Sequence, residues 1–78
     1  MSKNRKKYLN LQKYRKKYGI RQEDMALLLG ICKSAYSHKE IRISPFNSDE
    51  IEKMHTEFNK LAEKAGDGYL SLDEIFLD

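Results

Sequence analysis

The chain has 78 residues, with 40% hydrophobic and 35% charged side chains and a net charge of +3. A chain of this length forms one domain, which excludes a multidomain protein. Its composition is typical of a globular protein. Its single cysteine, Cys32, excludes an intramolecular disulfide. No apolar run approaches the roughly 18 residues that a membrane span needs, and the basic N-terminus lacks the hydrophobic segment of a secretory signal. We therefore expect a cytoplasmic protein that does not associate with membranes.

The charges are distributed unevenly along the chain. Residues 1–21 hold nine basic side chains and no acid, 22–47 are balanced, and 48–78 hold three basic and nine acidic side chains. A basic front half indicates a polyanionic partner, although a solvated lysine-rich face gives the same composition. Residues 1–8 show no apolar periodicity, so we predict a disordered basic arm over 1–8 followed by one domain over 9–78.

Apolar side chains recur at three- and four-residue spacing in several stretches. This spacing predicts an all-α domain of five helices, over residues 9–18, 22–29, 33–41, 49–65 and 72–77. Gly19 and Gly30 supply the left-handed residues that end helix 1 and turn helix 2 into helix 3. Ser48 and Ser71 are the predicted N-caps of helices 4 and 5.

The segment 11–40 has the residue spacing of a known family. The matching positions are Leu11, Tyr14, Arg15, Gly19, Ile20, Gln22, Met25, Ala26, Leu29, Gly30 and Ile31. In these residues the chain resembles the Cro/repressor-type (Xre-like) helix-turn-helix family, and weaker similarity extends to residue 77. The resemblance implies a five-helix, repressor-like DNA-binding domain, here with an extended fourth helix.

The chain departs from the family's usual sequence at the ends of its helices. Arg21 and Cys32 stand where Ser or Thr usually caps helices 2 and 3, and each lost cap costs about 1 kcal/mol. Ile41 and Arg42 replace the Asn-Gly that commonly follows helix 3. We therefore expect the exit from helix 3 to differ from that of typical members.

The resemblance also implies which side chains meet double-stranded DNA. The phosphate contacts are expected from the start of helix 2 and from nearby basic residues, namely Gln22, Arg21, Arg42, Lys6 and Lys7. Helix 3 is expected to bury Ala35 or Tyr36. Its outer face would contact base edges through Lys33, Ser34, Ser37 and His38. The alternative for Lys33, Arg42 and His38 is that they are ordinary solvated side chains, and for His38 the two interpretations are balanced.

The resemblance assigns Arg15 and Glu40 to structure, as a partly buried ion pair between helices 1 and 3. The expected function is that of a small transcriptional regulator of phage or prophage type, which acts by occupying an operator. Specific binding by one such domain usually needs a twofold dimer that reads two half-sites. We therefore expect a homodimer, with helix 4, residues 69–76, Ile41 and Ile43 as candidates for its interface.

A competing hypothesis places a calcium site near the C-terminus. Residues 63–74 resemble an EF-hand loop, with Asp67 at its fifth position and Glu74 at its twelfth. Glu63 and Ala65, however, occupy the first and third positions, where Asp or Asn is expected.

A second alternative is a protein-interaction module, such as an antirepressor, that uses the acidic rear half as its working surface. An enzyme is not expected. Cys32, His38 and His55 are too few for a zinc site, which needs four ligands, and no catalytic triad, phosphate loop or carboxylate pair stands out. No cofactor, metal ion or small-molecule substrate is predicted.

Overall fold

The computed structural model describes residues 8–77, which form a small all-α domain without strands in that range. Its helices are α1 Leu9–Lys17, α2 Gln22–Leu29, α3 Lys33–Glu40, α4 Ser48–Ala65 and α5 Leu72–Phe76. The predicted all-α architecture is confirmed, and each predicted helix boundary lies within one residue of the observed one. The predicted arm residues 1–7, with the phosphate candidates Lys6 and Lys7, lie outside the described residues.

One hydrophobic core joins the helices. Its buried side chains are Leu11, Met25, Ala26, Leu29, Tyr36, Phe46, Met54, Phe58, Ala62, Leu70 and Ile75. Helix α3 contributes only Tyr36, which is fully buried, so the predicted choice between Ala35 and Tyr36 is settled for Tyr36. The short helix α5 packs against α1 and closes the core with Ile75.

The connection between α2 and α3 is a tight turn at Gly30. This glycine has a φ of 72°, in the left-handed region. The N–H of Ile31 donates to the carbonyl oxygen of Ala26 at 3.0 Å, which satisfies one of the carbonyl groups left over at the helix end. An added Cβ at Gly30 would meet nothing within 4 Å, so the backbone conformation alone favours glycine here.

Tyr8 belongs to the domain, and its assignment to the N-terminal arm was wrong. Its ring lies against Phe46 and Phe76, with centroid separations of 5.5 and 6.2 Å. Its N–H donates to the backbone carbonyl of Glu40 at 3.0 Å. A lone aromatic ahead of a helix has no periodicity of its own, so only the tertiary contacts reveal that the domain includes it.

The N-cap of α4 is Asn47, and the prediction of Ser48 was wrong by one residue. The N–H of Glu50 donates to Asn47 Oδ1 at 2.8 Å, and the N–H of Asn47 donates to Glu50 Oε1 at 3.0 Å. This reciprocal capping box needs a carboxylate three residues after the cap. Glu50 stands at that distance from Asn47, whereas Ser48 would have Ile51 there. Ser71 is confirmed as the N-cap of α5, with Glu74 in the reciprocal position.

Candidate nucleic-acid interface

The outer face of α3 carries small, hydrophilic side chains. Lys33, Ser34 and His38 are exposed, and Ser37 is half-buried. None of these four residues belongs to the core. The structure therefore brings together on one surface the four residues that were predicted to contact bases, while their contact with DNA stays a prediction.

The inner face of α3 ends on a buried carboxylate. Glu40 is 1% exposed, and its Oε2 accepts hydrogen bonds from Arg15 Nε at 2.8 Å and from the Tyr36 hydroxyl at 2.7 Å. Its Oε1 accepts from Arg15 Nη2 at 3.3 Å and from Gln22 Nε2 at 3.0 Å. Arg15 Nη1 donates to the carbonyl oxygen of Ile20 at 3.0 Å. The predicted ion pair between α1 and α3 is confirmed, and it is the centre of a larger network.

Tyr36 acts in this network as a hydrogen-bond donor. Burial, followed by the hydrogen bond to Glu40, raises the pKa of the Tyr36 hydroxyl far above its ordinary value. The hydroxyl therefore keeps its proton at any physiological pH. Buried charges persist only when paired and hydrogen-bonded, and here both oxygens of Glu40 are satisfied twice.

Gln22 has a structural partner that sequence reasoning missed. As the first residue of α2, it donates from its side-chain amide to Glu40 at the end of α3. The network therefore joins the start of α2, the end of α3 and the last turn of α1. The predicted phosphate contact of Gln22 was based on the family resemblance, which gave no sign that the same amide also bonds within the protein.

Arg21 lies exposed immediately before α2 and has acidic neighbours. Its Nε lies 3.3 Å from Asp24 Oδ2, and its Nη1 lies 3.7 Å from Glu23 Oε2. The Arg21 N–H also donates to Asp24 Oδ2 at 2.9 Å, and these bonds hold the pKa of Asp24 below its usual range. Arg21 has no acceptor with which to cap α2, as expected, but Asp24 supplies the returning half of a capping box.

Cys32 is the residue immediately before α3 and occupies its N-cap position, but its side chain makes no cap hydrogen bond. Its Sγ lies 3.4 Å from Ser34 Oγ. That contact, together with the N–H of Ala35, lowers the pKa of the Cys32 thiol. Lys33 Nζ reaches Glu23 Oε1 at only 4.0 Å, a loose, exposed pair that leaves Lys33 able to turn toward another acceptor.

The chain leaves α3 through a residue with a positive φ. Arg42 has a φ of 67°, the left-handed conformation that non-glycine residues rarely adopt. Its guanidinium lies over the ring of Tyr8, 3.9 Å from the centroid, in the range of a cation–π contact. The half-buried side chain of Arg42 is therefore held against the domain, which restricts the phosphate contact predicted for it.

Lys39 ties α3 to α4 and was not identified as important from the sequence. Its Nζ donates to the carbonyl oxygen of Pro45 and to Glu50 Oε1, both at 3.0 Å. Both side chains of the Lys39–Glu50 pair are largely buried. A lysine on a polar helix is usually exposed to solvent. Lys39 is buried because the segment after α3 places Pro45 and Glu50 against it, and the sequence of α3 does not indicate this.

The calcium hypothesis is not supported by the geometry of the C-terminal loop. Asp67 Oδ2 accepts a hydrogen bond from the Tyr18 hydroxyl at 2.8 Å and lies 3.2 Å from Lys17 Nζ. Glu74 caps α5. No three His, Cys, Asp or Glu side chains among residues 8–77 are grouped so that they could hold a metal ion. The carboxylates proposed as calcium ligands therefore stabilise the loop instead.

The contact between α1 and the C-terminal loop perturbs both ionisable partners. The hydrogen bond from Tyr18, and then the contact with Lys17, lower the pKa of Asp67. Partial burial and the Asp67 carboxylate raise the pKa of Tyr18 to about 12. The pair is thus stabilised at neutral pH in the form with a charged carboxylate and a protonated hydroxyl.

The residues predicted for a dimer interface divide into two groups. The apolar stripe of α4 lies in the core, including Met54 and Phe58, and is not available for a partner. Ile43, Tyr69 and Leu72 are exposed and stay candidates. The dimer itself stays a prediction.

None of the helices within residues 8–77 combines the length and apolar character that crossing a membrane requires. Searches against protein-family models, curated proteins and solved structures found no match to this chain.

Proposed function

We propose that the protein binds double-stranded DNA sequence-specifically through α3 and acts as a small transcriptional regulator. The observation that carries this proposal is the contrast between the two faces of α3. One face is fixed by the buried network around Glu40, and the other presents Lys33, Ser34, Ser37 and His38 without an intervening large apolar side chain.

The dimensions of α3 suit the major groove. An α-helix with its side chains is about 10–12 Å across, so the B-DNA major groove, about 12 Å wide, admits it. The eight residues of α3 give a helix about 12 Å long that can lie along the groove. Lys33 can donate to guanine O6 or N7, and the hydroxyls of Ser34 and Ser37 can donate or accept. His38, one turn beyond Ser34, can reach a base edge or a phosphate. These roles provide base discrimination, which backbone contacts cannot.

Phosphate contacts would position the helix. The start of α2 offers backbone N–H groups and the side chains of Arg21 and Gln22, which has a second amide hydrogen besides the one given to Glu40. The ion pairs of Arg21 are exposed and worth little, so exchanging them for a phosphate costs little. With about six to eight such contacts, affinity falls steeply with salt concentration.

One domain buries little surface on DNA, so we propose that the protein binds as a homodimer on a palindromic site. Half-sites about one helical turn apart would then face the two copies of α3. Selection from a random duplex library at near-physiological salt tests this directly. A palindromic consensus is the expected result, whereas an enriched pool without any consensus contradicts sequence-specific binding.

Variants separate base readout from positioning. Lys33→Ala with Ser37→Ala should reduce the preference for the selected site over random duplex, at a cost of about 1–3 kcal/mol for each lost base contact. Gln22→Ala and Arg21→Ala should weaken both duplexes similarly, and Arg21→Ala does so without touching the Glu40 network.

The matched control is Lys60→Ala with Thr56→Ala, which removes a lysine and a hydroxyl from the exposed face of α4. It should leave both affinities unchanged. Equal losses on selected and random DNA for the Lys33 and Ser37 double variant would contradict the assignment of α3 to base readout.

A further inference from the structure

The outer face of α3 ends in two isoleucines. Ile41 directly follows the last residue of the helix, and its N–H donates to the carbonyl oxygen of Ser37 at 3.2 Å, which keeps it in the helical register. It comes four residues after Ser37 and three after His38, and side chains at these spacings share one face of a helix. Ile41 is half-buried, and Ile43, two residues later, is 55% exposed. An apolar pair therefore adjoins the polar surface assigned to base readout.

The backbone after α3 determines where Ile43 lies. Arg42 has a left-handed φ of 67°, and its N–H donates to the carbonyl oxygen of Lys39 at 3.1 Å. The N–H of Ile43 donates to the carbonyl oxygen of His38 at 2.8 Å. Together these two bonds make a Schellman motif, in which an apolar residue at the position of Ile43 commonly packs against the last turn of the helix. The chain therefore turns back at Arg42 and places Ile43 beside His38.

An isoleucine can distinguish bases in the major groove in one way. The floor of the groove presents hydrogen-bond donors and acceptors together with a single apolar group, the C5-methyl of thymine. The isoleucine side chain has no donor or acceptor, so covering a polar base edge would leave that edge without a partner. Contact with the methyl group instead removes apolar surface of both partners from water. Thymine is therefore the base that an isoleucine favours.

We propose that Ile41 and Ile43 contact the methyl group of a thymine in the recognition site, an inference that rests on the proposed function. Ile41 lies eight residues beyond Lys33, which corresponds to about 12 Å along the helix axis. Base pairs are about 3.4 Å apart. The thymine should therefore lie about three to four base pairs from the base pair that Lys33 contacts.

A second copy of the chain accounts for this pair less well. A stable protein interface buries about 800 Å² on each partner, and two isoleucine side chains supply only a small part of that area. Their neighbours in the chain, His38, Arg42 and Ser44, are polar and would lose hydration in such an interface. The pair also continues the face of α3 that contacts the duplex in the proposed function, so a protein partner there would compete with DNA.

The test uses the site selected from the random duplex library. Each thymine of one half-site is replaced in turn by deoxyuridine, which lacks only the C5-methyl group. The affinity of each duplex is measured for the wild type and for Ile41→Ala with Ile43→Ala. For the wild type, we expect one thymine at which the replacement weakens binding about fourfold, the ratio that corresponds to burial of one methyl-sized group. The double variant should bind this uracil duplex and the thymine duplex equally.

Two further variants separate the methyl contact from a change in folding. Leu27→Ala removes an 83% exposed leucine from α2 and should respond to uracil as the wild type does. Ile43→Ala alone removes an exposed side chain, so the domain stays folded even if the half-buried Ile41 contributes to stability. It should lower the ratio between the thymine and uracil duplexes below that of the wild type. Helical circular dichroism of each variant checks that the domain is folded.

Three results of this experiment would overturn the inference: a selected half-site without thymine, a uracil scan without effect on the wild type, and equal responses of the wild type and the double variant. Sedimentation analysis provides a fourth, because a wild-type dimer that the double variant converts to a monomer would place a second copy on the pair. These results leave sequence-specific binding intact. An enriched pool without any consensus would instead overturn the proposed function and this inference together.

Discussion

Replacing Glu40 by glutamine tests whether the buried network holds α3 in place. The substitution keeps the shape of the side chain but removes its charge and exchanges one acceptor oxygen for an amide. In the wild type, Arg15 donates to both carboxylate oxygens, and Tyr36 and Gln22 each donate to one. In Glu40→Gln, the new amide hydrogens face existing donors, and the Arg15 guanidinium, which is 8% exposed as a residue, loses its counter-charge.

The expected cost follows from these contacts. Removing one partner of a buried ion pair costs about 3–5 kcal/mol, because the other charge stays buried without compensation. A domain of 78 residues has a total free energy of unfolding of about 4–12 kcal/mol. With a urea m-value of about 1 kcal/mol per molar, the unfolding midpoint should fall by about 3–5 M. Glu40→Gln should therefore lose a large share of the domain's stability.

Urea unfolding monitored by helical circular dichroism measures this change. The exposed Glu63→Gln is the matched control and should shift the midpoint little. A compensated variant, Arg15→Met with Glu40→Met and Tyr36→Phe, removes the charges and the buried hydroxyl together. It should recover most of the lost stability, because replacing a buried ion pair by apolar groups is often neutral, and the remaining partner, Gln22, is only half-buried. A loss below about 1 kcal/mol for Glu40→Gln, or a compensated variant no more stable than it, would refute the reasoning.

Three further substitutions test local features of the fold. Asn47→Ala should cost about 1 kcal/mol in urea unfolding because it removes the cap of α4, whereas Ser48→Ala should cost much less; the reverse order would restore Ser48 as the cap. Arg42→Gly should be more stable than Arg42→Ala by about 1 kcal/mol, since both lose the guanidinium but only alanine keeps the left-handed strain; equal stabilities would show that the strain is absent. Asp67→Asn should be less stable than wild type at neutral pH. Since folding lowers the pKa of Asp67, this difference should persist above its unfolded pKa of about 4 and shrink as the pH falls through the lower folded value. A difference independent of pH would contradict the ion pair.

The helices were predictable from the sequence because local signals agree with the tertiary structure. Apolar periodicity, the glycine turns and the cap at Ser71 each predict the element that the structure contains. The exposure of Ser34 and His38 was also predictable, since these residues fall on the face of α3 opposite Tyr36, and Lys33 is exposed as the first residue of the helix. Only the family resemblance, however, indicated that Arg15 and Glu40 would pair, because residues 25 positions apart carry no local sign of contact.

The residues that were not identified from the sequence share a physical cause. Tyr8 and Lys39 each look like solvated or flanking residues, and each is enclosed by a segment distant in the chain. From the sequence, Gln22 is expected to be an exposed amide, and only the structure shows its hydrogen bond to Glu40 of α3. Whether a single polar side chain is exposed or buried depends on where the loops place distant segments of the chain. The apolar periodicity of the sequence does not contain that information.

The small number of apolar side chains in α3 explains why so small a domain retains a buried charge. A helix with a hydrophilic outer face can contribute few apolar side chains to the core, and α3 contributes only Tyr36 as a fully buried one. Eight residues do not form a stable helix alone, so α3 depends on its tertiary contacts, which include the bonds of Glu40 to α1 and α2 and the bond of Lys39 to Glu50 of α4. An ion pair fixes orientation more strictly than an apolar contact, because its hydrogen bonds tolerate little rotation. If the DNA proposal is correct, the compensated Met and Phe variant should therefore regain stability without regaining full preference for the selected site, because its α3 would be folded but less strictly oriented.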